Sequence, residues 1–241
     1  KYLAMKKRKP LLSIIIPTYH EAGNIGEMVK RTKQLSKLYP LEIIVVDGGS
    51  KDGTPDIAEK AGATKVIRFP FKRGKGVDFW EACQVAKGDY IIEIDADLQF
   101  DPEQIPLFMD AFKKGADVVI ATRENYTESP LWRTIGNRSL SILATIILMY
   151  PIHDILAGFK AAKREVMLSL KLKEVGFMYE SEIVMKAVRM RYRLAQVPVR
   201  YKRRMRENSQ VSLVRDGLRF VRSIIYFGLI IPPPSKRINK N

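Results

Sequence analysis

Leu11–Ile16 is a short apolar run closed by Pro17, the pattern of a strand buried on both faces. Apolar residues then recur at helical spacing, at Ile25, Met28, Val29, Leu35 and Leu38, with lysines between them. Glu42–Val46 predicts a second buried strand, which runs into an acidic, glycine-rich turn from Asp47 to Gly53. Thr54–Gly62 reads as a short helix, with Thr54 as its cap and Pro55 at its first position. Lys65–Phe69 predicts a third strand, Val77–Ala86 a helix, and Tyr90–Ile94 a fourth strand ending at Asp95-Ala96-Asp97. Pro102–Lys114 is helical in pattern and Asp117–Ala121 is a fifth strand. This alternation predicts an α/β fold with a mainly parallel, twisted sheet covered by helices on both faces. In such sheets ligands bind beyond the carboxyl ends of the strands, where the turns at Asp47 and Asp95 fall.

After Arg123 the pattern changes. Leu140–Met149 is apolar almost all round and covers roughly half the ~20 residues a membrane-spanning helix needs. Two readings stay open for it, a helix buried in the core and a helix lying against lipid. Ser181–Arg191 reads as a helix and Ala195–Tyr201 as a further strand. Near the end, Leu213, Val214, Leu218, Val221 and Ile225 form one helical stripe, opposed by Arg215, Arg219 and Arg222. Ile224–Ile231 is then apolar except for Gly228, until Pro232–Pro234 stop it. A basic face opposite an apolar stripe describes a helix in the lipid interface, and equally a C-terminal helix packed on its own domain. Three regions are expected: a basic extension at 1–10, a catalytic domain at 11–209, and an amphipathic membrane-surface helix with a basic tail at 210–241.

The formal charge of +16 changes the picture more than any other bulk property. An excess of that size points to an anionic partner, whether nucleic acid, anionic lipid or phosphorylated substrate, or else to a merely solvated face. No recognised nucleic-acid-binding motif accompanies it, so no specific nucleic-acid partner is expected. Cys83 is the only cysteine, which excludes an intramolecular disulfide and fits a reducing compartment. With His20 and His153 the only histidines, a His/Cys zinc site is excluded as well. The start is basic from Lys6 to Lys9, so no signal peptide is expected, and neither apolar stretch is long enough to span a bilayer. A peripheral protein at the cytoplasmic face of a membrane is the expectation, with room for a membrane partner subunit.

Asp95-Ala96-Asp97 carries the chemistry. Two carboxylates one residue apart, where a strand breaks into a loop, can share a hard cation such as Mg²⁺ or Mn²⁺ whose shell is completed by phosphate oxygens. Asp47 ends the second strand where a carboxylate can accept hydrogen bonds from a base or ribose. Lys72–Gly76, which includes Lys75, joins cations to flexible backbone ahead of a helix and suits a diphosphate. Neither a Walker pattern nor GxGxxG is present.

Ile16–Ile25 (IPTYHEAGNI), Val45–Thr54 (VVDGGSKDGT) and Asp95–Gln99 (DADLQ) together resemble the family 2 glycosyltransferases of the GT-A, Rossmann-like fold. With Gly158-Phe159 and Glu182, the resemblance is strongest to the dolichyl-phosphate mannose synthase branch, and it runs from about Leu11 to Ser209. It implies that Pro17, Tyr19, Glu21 and Asp47 hold the nucleoside, that Asp95 and Asp97 bind the metal beside Ala96, and that Gln99 stands next to the site. It further implies that Arg123, Arg133, Asn137 and Arg138 grip an acceptor phosphate, and that Arg204 and Ser209 belong to a loop over the donor diphosphate. Glu182 is expected to orient the sugar or an arginine. Two departures stand out: Gly48 occupies the place of a usual second aspartate, and Glu207–Gln210 replaces a common Gly-x-Ser-Lys pattern.

The expected activity is inverting transfer of a sugar from a nucleotide diphosphate sugar, GDP-mannose before UDP-glucose or UDP-GlcNAc, to a polyprenyl or dolichyl phosphate. Elementary chemistry favours a phosphate acceptor independently. An alcohol needs a general base, whereas a phosphate monoester with a second pKa of about 6 is already anionic at neutral pH. The difficulty is then bringing two anionic groups together, a task suited to a metal and to planar guanidinium groups. A basic nucleic-acid-binding protein and a non-catalytic membrane adaptor are the readings from other classes.

Overall fold

The computed structural model describes residues 8–124, 131–202 and 213–230 of the 241-residue chain. Its seven strands are β1 (Leu12–Thr18), β2 (Leu41–Asp47), β3 (Lys65–Arg68), β4 (Tyr90–Ile94), β5 (Val118–Arg123), β6 (Phe159–Lys163) and β7 (Leu194–Val199). They form one sheet in the order β3-β2-β1-β4-β6-β5-β7. The pairs β1–β2, β1–β4, β2–β3 and β5–β7 are parallel, while β6 runs antiparallel to both β4 and β5. The predicted α/β sandwich is therefore present, with one reversed strand inserted between the parallel ones.

Around the sheet lie α1 (Ile25–Gln34), α2 (Thr54–Ala61), α3 (Lys75–Val85), α4 (Ile105–Lys113), α5 (Leu131–Leu148), α6 (Arg164–Ser169), α7 (Tyr179–Arg189) and α8 (Leu213–Ile225). Alternate residues of β1 divide the core. Ile14 and Ile16 pack with Met28 and Phe108 on the α1/α4 side, and Ile15 with Phe79, Ile183 and Phe220 on the other. A strand buried on both faces is predominantly apolar, which is why β1, β2 and β4 are legible directly, although each carries a polar residue, Ser13, Glu42 or Glu93, among its apolar ones.

Several boundaries differ from expectation. Thr54 sits inside α2 and Gly53 precedes it at φ 84°, so the threonine does not cap the helix from outside. Its hydroxyl instead donates to Asp52 Oδ1 at 2.6 Å and accepts the Glu21 amide at 2.9 Å, joining two loops at the sheet edge. Leu140–Leu148 proves to be the latter part of α5, with Met149 just beyond its end, and Arg133 and Arg138 belong to the same helix. The stretch is buried on one face and exposed on the other. Leu140, Ser141 and Ala144 are buried, while Ile142, Ile146 and Met149 are exposed.

The C-terminal helix also turns a different face inward. Phe220, Ser223 and Ile224 of α8 are buried, followed by Phe227 in a π-helical turn at Tyr226–Ile230. Of the predicted apolar stripe, Val221 is half-buried against the core, Leu218 and Ile225 face outward, and the side chains of Leu213 and Val214 lie outside the described residues. The helix is thus anchored by its aromatics while part of its leucine/isoleucine stripe is left uncovered. Among the described residues no helix is long and apolar enough to cross a membrane.

Candidate active site

A cleft of about 630 Å³ opens at the carboxyl ends of β1 and β4. Pro17, Tyr19, Glu21 and Gly48 line one end, Asp95, Ala96, Asp97 and Gln99 the middle, and Arg123 and Asn137 the far side. Asp216 and Phe220 of α8 form part of the same wall, so the C-terminal helix is a boundary of the site. The volume lies within the range of roughly 300–1,000 Å³ usual for small-molecule sites.

Asp95 faces the cleft because Gly158 lets it. A Cβ built on Gly158 would stand 2.0 Å from Asp95 Oδ2, well inside contact distance. Asp97 Oδ1 accepts the backbone N–H of Gln99 at 3.1 Å, a hydrogen bond that orders the turn after β4. The Gln99 side chain reaches across to the Tyr201 hydroxyl at 2.5 Å and the Lys202 carbonyl at 3.3 Å. Among the described residues no group of three or more His, Cys, Asp or Glu side chains could enclose a metal. The two aspartates nonetheless supply hard oxygen donors, and Mg²⁺ or Mn²⁺ typically binds such a pair and takes its remaining ligands from phosphate and water.

The strongest cationic feature beneath the cleft is Lys75. Its ammonium lies 2.6 Å from Asp95 Oδ1, 2.9 Å from Glu180 Oε1 and 3.5 Å from Glu93 Oε1. Burial alone would lower the lysine pKa, but Asp95 and then Glu180 raise it well above its usual value. Glu93 is fully buried and accepts a hydrogen bond from the Tyr179 hydroxyl. Burial pushes its carboxyl up to about 7 despite Lys75 and Lys160. Glu180 is also desolvated, yet the same two ammoniums hold its carboxyl below the ordinary value. Lys75 therefore lines the cleft as the counter-ion of three carboxylates. The glycine of that turn is likewise committed, since the Gly76 amide donates to the Val175 carbonyl at 2.9 Å.

Two other expected ligand contacts are used internally. Asp47 is 1% exposed, and its oxygens accept the amides of Gly49 and Ser50 and the hydroxyls of Thr18 and Ser50. It shapes the turn after β2, while Gly48 is the residue of that turn that lines the cleft. Glu182 is buried and accepts the amides of Lys173 and Glu174, with Lys186 Nζ at 2.5 Å. It pins a loop and does not face the cleft.

On the far side of the cleft, Arg123 Nη2 donates to the Leu156 carbonyl at 3.1 Å, and its Nε lies 3.1 Å from Asp154 Oδ2. Asn137 Nδ2 donates to the other oxygen of Asp154 at 2.8 Å. Fully buried Asp154 thus links Arg123 to Asn137, and the buried Asn137 Oδ1 is left without a hydrogen bond. Arg138 is exposed and does not line the cleft. The Arg133 side chain, Arg204 and Ser209 lie outside the described residues. Sequence reasoning passed over Asp154 and Glu180. Neither belongs to a recognisable motif, and the only signal for Glu180 is a pair of glutamates two apart, which a helix directs to different faces.

Residues 13–170 match the Glycosyl transferase family 2 profile. A dolichol-phosphate mannosyltransferase of Pyrococcus furiosus is 33% identical over 187 residues, covering 73% of this chain and 52% of the relative. The low-salt glycan biosynthesis hexosyltransferase Agl6 of Haloferax volcanii is 28% identical over 225 residues, covering 90% of this chain and 53% of that protein. The chain therefore spans about half the length of these two relatives. In three dimensions it resembles glucosyl-3-phosphoglycerate synthase of Mycobacterium tuberculosis, solved with Mn²⁺, UDP and glucosyl-3-phosphoglycerate. The TM-score is 0.75 at 22% identity, covering 93% of this chain and 82% of that one, and the likeness establishes the shared fold. With a profile match over most of its sheet and a relative at this level of identity, the chain belongs to glycosyl transferase family 2.

Proposed function

We propose that this chain transfers a sugar, mannose from GDP-mannose in the favoured case, to a polyprenyl phosphate at a membrane surface, with inversion at the anomeric carbon. The observation that carries this reading is that one cleft is lined by Asp95 and Asp97, by Pro17, Tyr19 and Glu21, and by Arg123 and Asn137. The name of the Pyrococcus relative supports a lipid-phosphate acceptor. A divalent cation held by Asp95 and Asp97 would offset the charge that grows on the departing diphosphate. Arg123, oriented through Asp154, would hold the incoming phosphate against its own repulsion from the donor. No side chain need act as base, because the attacking oxygen is already ionised.

The test is a panel of GDP-mannose, UDP-glucose and UDP-GlcNAc with phytanyl phosphate and Mn²⁺, read by mass spectrometry of the lipid product. A glycosylated lipid phosphate from one donor supports the reading. Turnover with none of the three, under conditions where the protein is folded, would defeat it. Gly158→Ala should lower that turnover by roughly a hundredfold, the scale of a ~1 Å misplacement of a catalytic group. Its circular dichroism should stay unchanged, and wild-type turnover would mean that the Asp95 position is unimportant.

The membrane part rests on two uncovered helix faces. Ile135, Ile142, Ile146 and Met149 of α5 and its end are exposed along one stripe, as are Leu218, Ile225 and Leu229 of α8 and the turn after it. The two helices pack together, and exposed Arg138 and Arg222 accompany these stripes, as expected for the cytoplasmic, anionic side of a bilayer. Ile142→Glu with Leu229→Glu should cut partitioning onto anionic liposomes by about tenfold or more, since two buried apolar contacts are lost and two negative charges gained. Turnover of a short-chain acceptor should change little. Unaltered partitioning would contradict an interfacial role for these faces.

A further inference from the structure

Asp78, in the first turn of α3, is a buried carboxylate of the cleft with no part in the chemistry above. Its Oδ1 accepts a hydrogen bond from Arg73 Nε at 3.2 Å, and the Arg73 guanidinium is itself stacked 3.3 Å over the Phe69 ring. This pairing fixes the carboxylate and directs Oδ2 to Gly48. A Cβ built on Gly48 would stand 2.9 Å from that oxygen, with the Tyr19 ring at 3.9 Å. The missing side chain at position 48 therefore makes room for a carboxylate that arrives from another element. Tyr19 carries the Lys72 ammonium 4.2 Å over its ring, and Pro17, Tyr19, Gly48 and Asp78 share one end of the cleft, away from Arg123. Neighbouring Asp47, whose position would otherwise suit this task, has its oxygens occupied by its own turn.

We propose that Asp78 is the base-reading residue of the nucleotide site, its Oδ2 accepting the ring N–H of a uracil or guanine base. This rests on the sugar-nucleotide reading above and deepens it. Uracil at N3 and guanine at N1 present a hydrogen to a carboxylate. Cytosine and adenine present a lone pair at the corresponding ring nitrogen, which repels it. A desolvated acceptor discriminates strongly, because a wrong partner leaves it buried and unpaired. In Asp78→Asn the amide would turn its carbonyl to Arg73, which donates, and its NH₂ to the ligand, replacing an acceptor by a donor.

The experiment is calorimetric binding of UDP, CDP, GDP and ADP in the presence of Mn²⁺. The wild-type protein should prefer UDP to CDP or GDP to ADP by about tenfold or more, the worth of one good hydrogen bond to a charged group. Asp78→Asn should reduce that preference at least tenfold while the unfolding midpoint stays close to wild type. Asp78→Ala should lose the preference as well, and adding Gly48→Asp, which returns a carboxylate to the same niche, should restore it in part. An unchanged preference in Asp78→Asn overturns the proposal. So does an equal loss of affinity for all four nucleotides, which would make Asp78 a contact to ribose or a structural group. If the wild-type protein bound none of the four, the sugar-nucleotide reading itself would fall. Binding by wild type with indifferent Asp78 variants would remove only the base-reading role.

Discussion

Asp97→Ala is expected to lower sugar transfer by on the order of a thousandfold, equivalent to about 4 kcal/mol of transition-state stabilisation at the leaving diphosphate. The size follows from what two aspartates must do alone. Among the described residues no group of three or more His, Cys, Asp or Glu could hold a metal, so on this reading losing one carboxylate removes half of the protein's hold on a cation. The fold should survive, because Asp97 lies in the turn after β4, where its carboxylate accepts the Gln99 amide. Losing such a bond at a partly exposed position costs about 1 kcal/mol. Steady-state transfer assays beside a thermal melt separate the two effects. Residual transfer above roughly a tenth of wild type, about 1.4 kcal/mol, would show that this aspartate is not essential.

The largest effect on stability is expected at Lys75. Replacing it with methionine keeps the bulk of the stem but leaves Glu93, Asp95 and Glu180 facing one another, with Lys160 as the cation that remains 3.7 Å from Glu180. Removing one partner from a buried ionic group typically costs about 3–5 kcal/mol. The deficit should depend on pH in a definite sense. Glu93 already has its carboxyl pushed up to about 7, above the 4.5 of an unperturbed glutamate, so the folded state binds the extra proton between those values. Its ionised form therefore weighs against the fold as pH rises through that window. Taking away the lysine charge strengthens that bias, so Lys75→Met should lose more stability at pH 8 than at pH 5. Chemical denaturation at both pH values reads it directly. A deficit that is equal at both, or larger at pH 5, would contradict the counter-ion role.

Legibility in the sequence tracked how locally each feature is encoded. β1, β2 and β4 are announced by predominantly apolar runs, and the acidic turns that follow two of them mark the edge of the sheet at which the cleft opens. β6 escaped because Phe159–Lys163 carries lysines at its second and last positions and two alanines between them. Lys160 is fully buried there only because Glu180 of α7 and the Ala157 carbonyl receive its ammonium, and no local pattern reports that. Asp47 and Glu182 illustrate the opposite failure. A carboxylate beside glycines or in a helix reads as a ligand contact, yet both serve nearby backbone amides. Asp78 and Asp154 belong to no motif, and their importance arises from Gly48 and Asn137, which are distant in sequence. In α8 the apolar stripe was visible, but the inward face is set by Phe220, Ile224 and Phe227, whose spacing fits a helix equally well.

Electron paramagnetic resonance of Mn²⁺, titrated into the protein with and without a nucleoside diphosphate carrying ³¹P, probes the coupling between aspartates, cation and leaving group most directly. The expected result is a bound Mn²⁺ signal with phosphorus hyperfine coupling in the wild-type protein, lost when Asp95 and Asp97 are both changed to Asn. The same coupled signal in that double variant, or none in the wild-type protein at saturating nucleotide, would contradict the assignment of these aspartates to a metal-held diphosphate.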